Sequence, residues 1–158
     1  TRGSEVAGMP FEEKMSWVSV VVTVVVAGLY FATILGQVGD LPAADIAYQR
    51  SLLIAIGASI VLMIGGAIAM AIGTAVRAEV TGEGSVDDID RKDERDVSIG
   101  RRGDVVAFYV TSAGALGVLA LAMLEYEYFW IANALYLTFV VAALVSDGVK
   151  IRAYRWGM

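Results

Sequence analysis

Cysteine and histidine are both absent from this chain. Without cysteine there can be no disulfide, no thiolate metal site and no thiol redox chemistry. Without histidine the chain lacks the commonest proton shuttle, the commonest metal ligand and the usual axial ligand of haem. A third absence is positional. No acidic or basic residue lies near the centre of any long apolar run; Asp104 and Asp147 fall toward one set of ends and Glu125 toward the other. An ionisable group held deep in a bilayer costs several kcal/mol and marks an ion path or proton relay where it occurs, so its absence argues against an ion-coupled transporter. Four-span multidrug exporters need a membrane-embedded carboxylate in the first span, where this chain offers only Ser19, Thr23 and Thr33.

What the chain does have is apolar length. Hydrophobic residues make up 58% of its 158 residues, and the mean hydropathy is +0.67. Met15–Leu35, Ile46–Val76, Val105–Leu124 and Phe129–Val145 each approach the roughly 20 residues that cross a hydrocarbon core about 30 Å thick. A soluble domain of this size could bury one such helix, but not four. The expected fold is therefore all-α, an integral membrane antiparallel four-helix bundle. The first apolar segment is as long as a full span and lacks a small-residue cleavage motif, so it is expected to remain in the protein. Thr1–Gly8 reads as a processed or added segment ahead of a natural start at Met9 and is set aside.

The basic residues order these spans across the bilayer. Arg2 and Lys14 precede the first span; Arg77, Arg91, Lys92, Arg95, Arg101 and Arg102 lie between the second and third; Lys150, Arg152 and Arg155 follow the fourth, and only Arg50 lies on the other side. The positive-inside rule then places both termini and the 77–104 connection in the cytoplasm, in a multi-pass protein of the cell membrane. Aromatic residues agree. Tyr30, Phe31, Tyr48, Tyr126, Tyr128, Phe129 and Trp130 cluster at the expected outer boundary, and Phe11, Trp17, Tyr154 and Trp156 at the inner one, where amphipathic rings favour the interface. The chain divides into an N-terminal cytoplasmic segment (1–14), spans one and two (15–76), an acidic and basic connection (77–103), spans three and four (104–149) and a basic tail (150–158).

The outer loops are too short for a folded domain. Gly39-Asp40-Leu41-Pro42 reads as a turn with Asp45 capping the second helix, and Glu125–Tyr128 closes a tight hairpin between spans three and four. In the connection, Ser85 with Asp88 resembles a capping box, and Asp87/Arg91 and Asp88/Lys92 fall at i,i+4 spacing. This predicts a nearly continuous helix over Val86–Leu124, a cytoplasmic extension running into span three, with Gly100 and Gly103 as bend points.

Lipid is as apolar as leucine, so helices associate in it through close backbone approach at small residues. Gly57, Gly65, Ala69 and Gly73 supply such a stripe on span two, suited to packing within the bundle or to a homodimer seam. Span three carries Gly103, Ala107, Thr111 and Ala115, with Ala113 and Gly117 on a neighbouring stripe. Span one, β-branched over Val20–Val26, suits lipid contact or an outer position. Thr111, Ser112, Asn133 and Thr138 are the remaining intramembrane polar groups; they serve interhelical hydrogen bonding or, on the alternative, contact a substrate. The acidic cluster Asp87, Asp88, Asp90, Asp93, Glu94 and Asp96 lacks the glycine of an EF-hand loop and is interleaved with Arg91, Lys92 and Arg95, so it reads as a solvated, ion-paired helix rather than a metal site.

One constellation points to function. Asp93-Glu94-Arg95-Asp96 lies just before Arg101 and Arg102 at the mouth of span three, and the hairpin brings Asp147, Lys150, Arg152 and Arg155 to the same depth. Carboxylates facing guanidinium groups across two helix ends would clamp the hairpin or form a docking surface. The same residues, with Ile99-Gly100-Arg101-Arg102, Phe129-Trp130-Ile131-Ala132-Asn133 and Tyr154-Arg155-Trp156-Gly157, resemble a family of small four-span prokaryotic membrane proteins, common in halophilic archaea, to which no function is assigned. The resemblance covers 90–157 best and implies a membrane location and a paired-helix core, without catalytic residues to carry over. Trp156 stands where a further arginine is expected. Acidic, arginine-over-lysine, valine- and glycine-rich usage independently suggests a halophilic or high-GC source.

Together these features predict a non-enzymatic membrane protein, without cofactor or metal, that binds or regulates a partner through its cytoplasmic charged face. A small oligomeric channel or transporter subunit lined by Thr111, Ser112, Asn133 and Thr138 is the alternative. An enzyme would have to work at the membrane surface through groups such as Asp93, Glu94 and Asp96. Expected partners are membrane lipid, a second copy of the chain, and a cytoplasmic or membrane protein. The net charge of −5 argues against nucleic acid and against a role based on anionic lipid.

Overall fold

The apolar runs become four long helices. The computed structural model describes residues 10–81 and 94–156. They form α1 (Phe11–Leu35), a short 3₁₀ turn (Ala43–Asp45), α2 (Gln49–Thr81), α3 (Glu94–Met123) and α4 (Tyr128–Trp156), with no strand among the described residues. At 1.5 Å per residue even the 25-residue α1 spans about 38 Å, more than a hydrocarbon core needs, and all four helices carry a window apolar enough to cross a membrane. The protein is an all-α four-helix bundle and a multi-pass membrane protein by helix length and composition. The capping box, the i,i+4 pairs and the start of the predicted extension at Val86 lie outside the described residues. From Glu94 onward α3 runs unbroken through Gly100 and Gly103.

Turn chemistry sets the hairpin between α3 and α4. The Tyr126 amide donates to the Leu121 carbonyl and the Glu125 amide to the Ala122 carbonyl, both at 3.1 Å, and Glu125 takes a left-handed φ of 57°. This is a Schellman C-cap with glutamate where glycine usually stands. The loop after α1 differs from expectation. Asp45 sits in the 3₁₀ turn rather than capping α2, and the first α2-type bond runs from the Leu52 amide to the Tyr48 carbonyl at 2.8 Å. Ile46, expected inside span two, is instead a loop residue only 2% exposed, tucked into the core.

The helices pack in the order α2, α1, α4, α3. Span one is therefore not peripheral as its valines suggested. Glu13, Ser16, Val26, Ala27, Tyr30 and Ile34 turn inward on one face, while Val21, Val24 and Val25 turn outward. The face spacing, not the overall bulk, decides the position. The stripe Gly57, Gly65, Ala69 and Gly73 is likewise exposed, and open space surrounds its three glycines. It does not pack within the bundle. The α1–α2 seam uses Gly66, where an added Cβ would come within 2.7 Å of Val18 Cγ1. The α3–α4 seam uses Gly103, against Ser146 and Lys150, and Gly114, against Thr138; Ala113, Ala115 and Gly117 face outward.

One end of the bundle is aromatic. Phe129 packs edge-on to Tyr48 and Trp130, and Tyr30 edge-on to Phe31 and Tyr136. These rings surround the core of Val26, Ile34, Ile46 and Ala55. The other end carries the charges.

Candidate functional site

The charged end gathers the first turns of α1 and α3 and the last turns of α4. Glu13 and Asp147 are the buried carboxylates, 5% and 7% exposed, beside buried Ser16 and Ser146. Burying a carboxylate without a partner is costly, and each of these is hydrogen-bonded to a side chain on a different helix. Glu13 Oε1 accepts from Arg155 Nε at 3.2 Å, and the Arg155 guanidinium lies 5.5 Å from the centre of the Trp17 ring. Asp147 is hydrogen-bonded by Ser19, with Lys150 nearby. Lys150 Nζ lies 3.1 Å from Asp104 Oδ1. Tyr154 Oη donates to Asp96 Oδ1 at 2.9 Å, and Arg95 Nη2 reaches the Ala153 carbonyl at 3.5 Å. Tyr154 lies beyond the apolar run that ends at Val145. Burial first, and then the adjacent Asp96 carboxylate, hold its phenol above the ordinary value, so it remains a donor throughout the neutral range.

These contacts differ from a two-helix clamp of guanidinium against carboxylate. Arg95, Asp96 and Lys150 do join α3 to α4, but through a carbonyl, a phenol and Asp104. Asp147 and Arg155 turn instead to α1, making three helices meet. Arg101, Arg102 and Arg152 are exposed and pair with none of the described residues. Glu94 is exposed at the start of α3. Asp93 lies outside the described residues.

Between α1, α3 and α4 the charged end encloses a cleft of about 280 Å³. Its walls include Glu12, Asp96 and Asp147, the hydroxyls of Ser16, Ser19 and Tyr154, and the Met15 and Met63 side chains, with Lys150 as its one cation among the lining residues. No group of three or more carboxylates that could hold a metal ion occurs among the described residues. The arrangement can accept a cation or hydrogen-bond donors.

Glu13 went unnoticed in the sequence, and Ser19, Asp104 and Tyr154 were noted there without being assigned to the charged site. A signal existed: Glu13, Ser16 and Ser19 recur every three residues, and Asp147, Lys150 and Tyr154 at three and four, so each set shares a helix face.

Two of the intramembrane polar groups, Asn133 and Thr138, are tied up within the bundle. Tyr30 Oη donates to Asn133 Oδ1 at 2.7 Å, joining α1 to α4. Asn133 Nδ2 in turn donates to the Phe129 carbonyl at 2.8 Å. Thr138 Oγ1 donates to the Ala134 carbonyl at 2.9 Å, while Thr111 and Ser112 are half-buried on α3. Tyr136 and Ser59 hydroxyls are hydrogen-bonded to each other. Buried Asn133 and half-buried Thr138 thus spend their hydrogen bonds inside the bundle.

The chain matches no protein-family model, no curated protein and no solved structure.

Proposed function

We propose that this chain is a non-catalytic multi-pass membrane protein whose charged end faces the cytoplasm and engages a protein partner there. The observation that carries the reading is the cleft. Three carboxylates on three helices border it against a single lysine, which suits a lysine or arginine side chain presented by the partner. The two sides of that junction are fixed by Glu13–Arg155 and Asp96–Tyr154, so the partner meets a preorganised surface. The orientation rests on eleven of the twelve basic residues falling on this side of the spans.

Because the chain has no cysteine, single introduced cysteines report sidedness without background. Glu94→Cys is expected to react with an impermeant maleimide only in inside-out vesicles, and Tyr126→Cys only in intact cells. The reverse pattern overturns the orientation. A photo-crosslinking residue at Gly100, on the cleft wall, is expected to capture a protein that the same residue at lipid-facing Leu116 does not, and Asp96→Asn is expected to weaken the capture. Equal capture at both positions refutes the partner reading.

A further inference from the structure

The cations whose side chains are described at the charged end fall into two groups. Arg95, Lys150 and Arg155 are held by the Ala153 carbonyl, Asp104 and Glu13. Arg101, Arg102 and Arg152 are exposed and, among the described residues, have no hydrogen-bond or ion-pair partner; half-buried Lys14 has none for its ammonium. Four described carboxylates at this end are engaged elsewhere: Glu13 with Arg155, Asp104 with Lys150, Asp147 with Ser19, Asp96 with Tyr154. Among the described residues, then, these cations have no carboxylate paired to them, whatever the net charge of −5.

Helix register puts these cations at one depth. Gly103 faces Ser146 and Lys150, and Asp96 meets Tyr154, so Arg101 and Arg102 lie level with the turn that carries Arg152. Glu13 against Arg155 brings Lys14 on α1 to nearly the same level. The spread along the bundle axis is about five residues of helix, roughly 8 Å. The apolar run of α3 begins just inside this level at Val105, and that of α4 ends just inside it at Val145. Trp17 and Trp156, 39% and 78% exposed, sit at the same end, as expected for rings at a membrane boundary. That boundary is where headgroup phosphates lie. A guanidinium presents five donors in a plane and pairs with phosphate through two of them at once.

We infer that Arg101, Arg102 and Arg152, with Lys14, form a collar that binds the headgroups of anionic phospholipids. The collar is distinct from the acidic cleft, so it stands whether or not a protein partner binds there. It also replaces the expectation, drawn from net charge, that anionic lipid has no role.

The test uses the full chain purified in an uncharged detergent, titrated separately with phosphatidylglycerol and phosphatidylcholine, with bound lipid counted by native mass spectrometry. A cation near an anionic surface contributes about 1 kcal/mol, a factor of about five. The wild type is expected to prefer phosphatidylglycerol by on the order of 100-fold for three guanidiniums. The triple variant Arg101→Gln/Arg102→Gln/Arg152→Gln is expected to show nearly equal binding, and Arg102→Gln alone a drop of about fivefold. Arg50→Gln, at the opposite end, is expected to leave the preference in place. Helicity and gel-filtration volume confirm that each variant is folded; should the triple variant fail to fold, Arg102→Gln decides. Equal retention of both lipids by the wild type, or an undiminished preference in the folded variants, overturns the collar. Displacement of the lipid by glycerol phosphate at the same concentration would also overturn it, by showing a phosphate site rather than a headgroup site.

Discussion

Gly114 and Gly117 offer a controlled comparison within one helix. Both lie in the interior of α3, one turn apart, and alanine at either position gains about 0.8–1 kcal/mol of helix propensity. Their surroundings differ. An added Cβ at Gly117 meets open space, whereas at Gly114 it meets Thr138 through three atoms, including Thr138 Cβ at 2.9 Å. Thr138 has no long arm to swing away, and its hydroxyl is committed to the Ala134 carbonyl at 2.9 Å. Relief therefore requires α3 and α4 to separate, and overpacking of this kind costs about 1–3 kcal/mol. Gly117→Ala is expected to match or exceed the wild type in stability. Gly114→Ala is expected to fall below Gly117→Ala by about 1–3 kcal/mol, the overpacking alone, because the propensity gain is common to both and cancels. Unfolding by sodium dodecyl sulfate in mixed micelles, followed by circular dichroism, measures the difference. Adding Thr138→Ala to Gly114→Ala should recover part of the loss, because it removes two of the three contacting atoms. If Gly114→Ala equals or exceeds Gly117→Ala, the α3–α4 packing described above is wrong.

Three further outcomes follow from single contacts and can be read in the same assay. Glu125→Gly removes a side chain from a left-handed position and should raise stability by about 1 kcal/mol; a decrease would mean that the glutamate holds the hairpin in another way. Tyr30→Phe strips Asn133 Oδ1 of its donor and should cost about 0.6–2 kcal/mol, while Tyr30→Phe/Asn133→Leu should lose no more than the asparagine variant alone, since nothing is then left unpaired. Arg155→Met strands Glu13, only 5% exposed, and should cost more than Glu13→Gln, which leaves a half-exposed arginine that water can reach; the opposite order would refute the burial of Glu13.

The apolar runs made the four helices legible, because in a bilayer only helices or closed barrels satisfy the backbone and no run alternates with a period of two. Helix neighbours were less legible. Gly57, Gly65, Gly66 and Gly73 are the same residue on the same helix, yet only Gly66 meets α1. Which stripe of α2 is used depends on the phase at which Val18 arrives, and that phase is set by another segment. The charged site divides in the same way. Arg95, Asp96, Lys150 and Asp147 could be placed at one depth from the hairpin alone. Their partners could not, because Glu13 and Ser19 come from the far end of the sequence and reach α4 only once α1 has taken a central position.

That central position bears on assembly. The first and fourth helices to be made share the joint that closes the bundle, sealed by Tyr30 on Asn133 and Glu13 on Arg155. Until α4 enters the bilayer, the hairpin of α1 and α2 must hold a phenol and a carboxylate on a face with no protein to meet them. The finished fold is thus two hairpins joined through one α1–α4 seam, and a chain lacking α4 would leave the polar groups of α1 without these partners.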